Sequence, residues 1–532
     1  MEKPRFTDVQ LITDNRAAWQ AKRRLIAQAE HSLDLVYFIV EDDATTARLL
    51  LDLVAAAQRG VQVRLVLDYF LTYQHADLLR ALVDIPKLEV RRYRAPETTW
   101  VTSLTEAGIE PAQFISALTK PSAELLRASL KDTPAIPQPA LMVIDNLKVK
   151  TGESRWSFAL NVLEALREAI SNPGLMAQIQ PAVIGQLAQA FGSLPSLSLG
   201  TLRQLGEMVV PLVEIVRGLD QFLHRTHHKL LLADNRCFIM GGRNLADAYQ
   251  REANPGERAF TDTDVQACAN TAGAAEHATA FDALWKVSVE LAAADALDQR
   301  PARPLASLEL LAAGCEEVDP QAALASMVAL PDMDGSIFNN LPSDSGDASI
   351  TAEYVRRINA QSTQGTGAID IVSAYVCLGG DAMGSDFLHQ LYQSLLEAAH
   401  AHVTVNIRTN SASTTDLKAI NKAAYAELAE LMDAGVNVFE LDDAQRTLHT
   451  KAAAIGDEYL LIGSYNMDPR SELYDTNNMI VLRDPSGTAT QAFRQASIES
   501  LKWTQLTADQ ARQLAAIDPS KVSLLSIPKR LL

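Results

Sequence analysis

Cysteine is scarce. Cys237, Cys268, Cys315 and Cys377 are all there are in 532 residues, and they stand far apart with no CxxC pair. The chain therefore suggests neither a thiolate zinc site nor a dense disulfide framework, and neither a metal nor another cofactor is expected. Positive charge is short too: 47 Lys and Arg against 65 Asp and Glu leave a formal net charge of −18. Such a chain repels phosphate polymers and anionic bilayers as a whole, so affinity for either must come from a local basic patch, and no nucleic-acid partner is expected. Long apolar runs are missing as well. None reaches the roughly 18 residues a spanning helix requires, and the start Met1-Glu2-Lys3-Pro4-Arg5 has no signal-peptide core. A membrane, if met at all, is met from the side.

What the chain does have is repetition, and a length of 532 residues makes an internal duplication the first thing to test. SLDLVYFIV (32–40) parallels AIDIVSAYV (368–376), and each is followed by an apolar-periodic helix, TARLLLDLVAAAQR (46–59) and FLHQLYQSLLEAA (387–399). Strand candidates VQVRLVLD (61–68) and VTVNIRTN (403–410) come next, then a shorter helix and strand in each half. Both series close on a strand-turn-strand unit, THHKLLLADNRCFIMGGRN (226–244) and LHTKAAAIGDEYLLIGSYN (448–466). Strands alternating with helices read as an α/β fold of two fused lobes related by a pseudo-twofold, with mixed sheets flanked by helices. The expected organisation is a first lobe over 1–290, a crossover linker with some helix over 291–350, and a second lobe over 351–532. An insertion at about 96–220 interrupts the first lobe and is mostly helical by pattern, with Phe158, Val162, Leu166 and Ile170 on one face. It reads either as a self-packed cap or as a lipid-contacting lid.

Residues two apart on a strand face the same side, so His227 and Lys229 project together while His228 points away; His449 and Lys451 repeat this. The hairpins bring Asn244 and Asn466 back beside them, at the same offset from each histidine. One HxKxxxxD-like signature arises by chance in roughly a few per cent of chains this long. Two copies, each ending a duplicated series and each followed by GxxN, do not. The residue types suit a phosphodiester: lysine ammoniums and asparagine amides bind its oxygens and the charge of a trigonal-bipyramidal transition state. One neutral imidazole can attack phosphorus, and the other can protonate the leaving alkoxide and then deprotonate the incoming hydroxyl. Spacing does not decide which is which.

With AEHSLDLVYFIVEDD (29–43), GGRNLADAY (241–249), FTDTDV (260–265), TNSASTTD (409–416), GSYNMDPRS (463–471) and the closing IPKRLL (527–532), the chain resembles the phospholipase D superfamily. Within it the likeness is to the bacterial cardiolipin synthase branch, the shorter type without N-terminal spanning helices. The resemblance covers most of the chain except 96–220. It implies His227 as nucleophile, His449 as general acid/base, and Lys229, Lys451, Asn244 and Asn466 as phosphate ligands, with Asp234 ordering the first motif. It also implies a phosphatidyltransferase working through a covalent phosphohistidine, peripheral on the bacterial cell membrane, with its face open. Its partners would be phospholipids, phosphatidylglycerol first and phosphatidylethanolamine second, with no obligatory protein partner. A hydrolytic phospholipase D, a nuclease and a non-catalytic lipid-binding protein are the alternatives, in that order.

The second motif departs from the family pattern. Gly456 stands where an aspartate belongs, Asp457 follows it, and Asp475-Thr476-Asn477 lacks the glutamate of relatives. Asp457 is either a substitute carboxylate or a turn residue, which leaves the orientation of His449 open. Ser464 is an extra phosphate donor or a turn residue, and Asp262 and Asp264 either bond the histidines or cap a strand.

Overall fold

The computed structural model describes residues 3–95, 224–252, 257–291, 301–315, 318–341, 349–378 and 386–516. The insertion expected at about 96–220 and the closing 527–532 lie outside these residues, so neither the cap nor the lid reading is addressed.

The two halves carry the same strand order. One runs Ser288–Glu290, Leu88–Tyr93, Gln62–Asp68, Ser32–Tyr37, Lys229–Ala233, Cys237–Gly241, Asp264–Ala269, Arg5–Ile12. The other runs Trp503–Gln505, Asn437–Leu441, Thr404–Thr409, Ala368–Ser373, Lys451–Ile455, Tyr459–Gly463, Asp475–Arg483, Met333–Asn340. The final strands of the two series pair antiparallel, Arg5 with Asp334 and Phe6 with Met333, so the mixed sheets join across the pseudo-twofold.

Burial on both faces explains why the motif strands are continuous apolar runs rather than alternating ones. Leu230 and Leu232 face a central core shared with Ala452, Ala454 and Ile480 of the other half. Leu231 and Ala233 face outward, onto the helix Ala44–Arg59 through Leu49, Leu50 and Leu53. That helix begins where Asp43 accepts from Thr46 N–H and ends at Gly60, in the left-handed region at φ 104°. Helices thus cover the outer face of each sheet, and the inner faces pack on each other. Among the described residues no helix is long and apolar enough to cross a membrane.

Two features differ from the sequence reading. The stretch read as a linker supplies Met333–Asn340, an eight-residue strand held between Arg5–Ile12 and Asp475–Arg483. Its polar composition gives no strand period; pairing on both sides imposes the extended form, and Gly335 leaves room where a Cβ would collide with the carbonyl of Val481. Cys237 and Cys268, 31 residues apart, meet as direct cross-strand neighbours and form a disulfide.

Candidate active site

Each histidine lies just before a motif strand and is docked onto the other half of the chain. Arg225–Thr226 pairs in parallel with Asp475 and Thr476, and His227 N–H donates to the Thr476 carbonyl at 2.8 Å. Correspondingly, Arg446–Leu448 pairs with Ala259–Thr261, and His449 N–H donates to the Thr261 carbonyl, also at 2.8 Å.

The side chains are exchanged in the same way. His449 Nδ1 lies 2.7 Å from Asp262 Oδ2, whose carboxylate is fully buried. His227 Nδ1 lies 3.0 Å from Asn477 Oδ1. Asp262 and Asn477 occupy corresponding places, one residue beyond the carbonyls that hold the histidine backbones. With each Nδ1 engaged by an oxygen, Nδ1 carries the proton and Nε2 is left for substrate. Lys229 and Lys451 donate to the carbonyls of His227 and His449 respectively.

All four of these side chains are buried, at 5% exposure or less. Burial, then the ammonium groups of Lys229 and Lys451, hold His227 well below the usual imidazole range; burial, Lys451 and Lys229 do the same for His449. Burial lowers Lys451 to about 8 against the opposing pull of Asp262, and burial with repulsion from Lys451 lowers Lys229 further. The centre is thus a desolvated cluster of positive and neutral donors that gains by taking up an anion. Asn244 accepts from Ile39 N–H, while its Nδ2 has no partner among the described residues; Asn466 likewise leaves its Oδ1 unpaired. The Nδ2–H of Asn244 can donate to a phosphate oxygen, whereas the Oδ1 of Asn466 can only accept.

Aromatic rings wall the histidines. Phe38 meets His227 edge-on at 4.8 Å, and the stacked pair Tyr249 and Phe260 meets His449 at 5.0 and 5.3 Å. Beyond that pair opens a cavity of about 520 Å³ lined by Glu41, Asp43, Asp247 and Asp416 among others. Under the site, Asp264 is held by Lys22 at 3.2 Å and Arg243 at 3.4 Å, all buried, which ties the helix Asn15–Gln28 to the motif hairpin. Asp262 and Asp264 therefore have separate duties, one at His449 and one at this ion cluster.

Asp234, Gly456 and Asp457, all singled out from the sequence, lie away from the histidines, and Ser464 lies behind one of them. Asp234, expected to order the first motif, sits at the far turn of its five-residue strand, roughly 23 Å along the chain from His227. There, at φ 51°, it accepts from the backbone of Glu30, His31 and Ser32, and so pins the hairpin rather than the histidine. Gly456 is at the matching turn, with φ 62°, and Gln361 fills the space a side chain would need. Asp457 is exposed and bonds Arg494, so it substitutes for nothing at His449. The loss of the second-motif aspartate is a change at a remote turn, and His449 is oriented from Asp262 instead. Ser464 donates to Asn477 Oδ1 at 3.0 Å and acts behind His227 rather than as an evident phosphate ligand. Asn477 itself was visible only as a missing glutamate. Aligning Thr261-Asp262 of one half with Thr476-Asn477 of the other would have flagged it as a histidine partner.

Residues 363–498 match the family model described as "Cardiolipin synthase, PLD-like domain". Cardiolipin synthase C of Escherichia coli is 23% identical over 512 residues, spanning 91% of this chain and 82% of that protein. The chain is thus similar to the phospholipase D superfamily. An uncharacterised protein of Helicobacter pylori is 23% identical over 310 residues, 51% of this chain and 57% of its own. The crystal structure of a phosphatidylserine synthase from Haemophilus influenzae superposes over 99% of this chain and 97% of its own, with TM-score 0.53 and 12% identity, a likeness of fold. In this chain the second half carries the matched domain, although it is the half whose motif lacks its aspartate.

Proposed function

We propose that the protein is a phospholipid phosphatidyltransferase of the cardiolipin synthase kind, with His227 as nucleophile and His449 as general acid/base. The observation that carries this reading is the pair of buried histidines, each with Nδ1 anchored by the opposite half and each beside a buried lysine. The phosphate of a phospholipid enters between Lys229 and Lys451, with the amides of Asn244 and Asn466 taking its remaining oxygens. His449 enters the first step as the imidazolium, taking a solvent proton on Nε2 as the anionic phosphate offsets the ammonium charges around it. The Nε2 lone pair of His227 attacks phosphorus, the bond to the departing head-group oxygen breaks, and His449 gives that oxygen its Nε2 proton. In the second step an acceptor hydroxyl passes its proton to His449 as its oxygen attacks phosphorus, and the phosphorus–nitrogen bond breaks. Asp262 supports the imidazolium form of His449, which is spent in the first step and regained in the second.

Phosphatidylglycerol serves as the hydroxyl-bearing acceptor, and the protein works in peripheral contact with a lipid surface. Incubation with phosphatidylglycerol vesicles, with and without phosphatidylethanolamine, followed by mass analysis, tests the assignment. Cardiolipin is the expected product. Phosphatidic acid alone would make the enzyme a hydrolytic phospholipase D, and cleavage of nucleic acid at low salt with no lipid turnover would make it a nuclease.

A further inference from the structure

The pseudo-twofold makes the two histidines equivalent in backbone, yet their partners differ in charge, Asp262 behind His449 and Asn477 behind His227. Every hydrogen-bonding atom of the Asn477 amide is used. Its Oδ1 accepts from His227 Nδ1 at 3.0 Å and from Ser464 Oγ at 3.0 Å. Its Nδ2 donates to the carbonyls of Ser471 and Asp475, both at 3.2 Å. Those two carbonyls accept only, so they fix which end of the amide faces His227. An ionised carboxylate here would turn its second oxygen against them. The surroundings are therefore built for an amide, and a carboxylate has not simply been lost.

The other partner is arranged oppositely. Asp262 Oδ1 accepts from Thr263 N–H at 2.8 Å and Oδ2 faces His449, and Gly242 gives it room where a Cβ would collide with the carboxylate. Ser464 stands at the position that corresponds to Gly242 and reaches the Asn477 oxygen, so even the second neighbours are specialised.

We propose that Asn477, oriented by Ser464, Ser471 and Asp475, is a positioning residue that holds His227 in its Nδ1–H form without offering a charge, so that proton transfer falls to His449 alone. This rests on the assignment of His227 as nucleophile. A neutral acceptor orients the imidazole and raises its affinity for a second proton less than a carboxylate would; burial and the ammoniums of Lys229 and Lys451 outweigh that pull, so His227 keeps its Nε2 lone pair into mildly acid solution. The same neutrality leaves the phosphorylated, cationic imidazole without a counter-charge, which favours its rapid breakdown by the acceptor hydroxyl.

The test compares wild type, Asn477→Ala and Asn477→Asp in phosphatidyl transfer on phosphatidylglycerol vesicles across pH, with alkaline quench to quantify covalent enzyme. Asn477→Ala is expected to lower kcat roughly 10- to 100-fold, the usual effect of removing such a support, with KM within about twofold. Asn477→Asp keeps the acceptor and adds charge. Relative to Asn477→Ala it is expected to regain kcat, to move the acid limb of kcat/KM to higher pH, and to raise the steady-state fraction of covalent enzyme. Wild-type kcat in Asn477→Ala would overturn the proposal, and so would an Asn477→Asp enzyme whose acid limb and covalent fraction match wild type. Thermal unfolding midpoints of the three proteins separate a folding defect from a catalytic one. Peptide mapping of the covalent adduct in wild type is the independent check: label on His449 would sink the nucleophile assignment itself, whatever the Asn477 variants do.

Discussion

Asp262→Asn is the sharpest probe of the catalytic centre, because it removes one charge and almost no volume. Asp262 Oδ1 accepts from Thr263 N–H at 2.8 Å, so the asparagine carbonyl is expected to stay there and place Nδ2 against His449 Nδ1. That contact is a donor facing a donor unless His449 gives up its Nδ1 proton and takes the opposite tautomer. The imidazolium loses its counter-charge as well. At about 4 Å between charge centres and an effective dielectric near 20, one such pair is worth about 4 kcal/mol. That is an upper figure of about three powers of ten in rate, since each 1.36 kcal/mol is about tenfold. Lys451, Lys229 and Arg243 all press positive charge onto His449, and Asp264 offsets only part of it. We expect kcat to fall between about 100- and 1,000-fold, the size expected when a histidine loses the carboxylate that fixes its tautomer and charge. The assay is single-turnover phosphatidyl transfer on phosphatidylglycerol vesicles, read by mass spectrometry, with vesicle binding measured separately. A kcat within about fivefold of wild type, with binding unchanged, would refute the assignment of Asp262 as the support of the acid/base histidine.

Three further outcomes are expected. Lys451 titrates at about 8 in the empty site, so kcat/KM should decline as pH rises through that value, and Lys451→Arg should carry affinity to higher pH; a profile flat to pH 10 would remove Lys451 from phosphate binding. Gly456→Asp, which restores the family residue, should lower stability by about 1–3 kcal/mol because Gln361 occupies its space. Adding Gln361→Ala should recover the loss, and lipid turnover per folded molecule should be unchanged throughout, as measured by thermal melts and initial rates. His277 is buried against Phe238 with its ring centroid 4.2 Å away, and burial lowers it to about 3. Its folded value lies below its unfolded one, so its neutral form contributes stability above pH 6.5 that is lost as pH falls towards 3, up to roughly 4 kcal/mol. His277→Phe should therefore flatten the fall in melting temperature between pH 6.5 and 4, and an unchanged slope would contradict this.

Elements built from neighbours in the chain were legible without the fold. The segments around 32–68 and 368–410 carry their own helix and strand periods, and the hairpins that return Asn244 to His227 and Asn466 to His449 follow from apolar runs broken by turn residues. The strand Arg5–Ile12 and its counterpart Met333–Asn340 were not recognised as a pair, because MDGSIFNN has no alternation to read and takes its extended form from strands on both sides. Asp234 was legible as a motif residue but not as a turn residue, since strand length decides that it cannot reach His227.

Sequence by itself therefore determined the chemistry on offer: two histidines, two lysines and two asparagines in matched units, in an α/β fold written twice. Tertiary structure alone decided how they are used. Asp262 reaches His449 across 187 residues and Asn477 reaches His227 across 250, each from the opposite half of the chain. No local propensity or spacing encodes contacts at that separation. They exist because packing two twisted sheets face to face brings the ends of the motif strands of one half against the strand ends of the other. That packing also moved the importance of the irregular second motif: Gly456 and Asp457 became a remote turn, and Asn477 became the partner of a histidine.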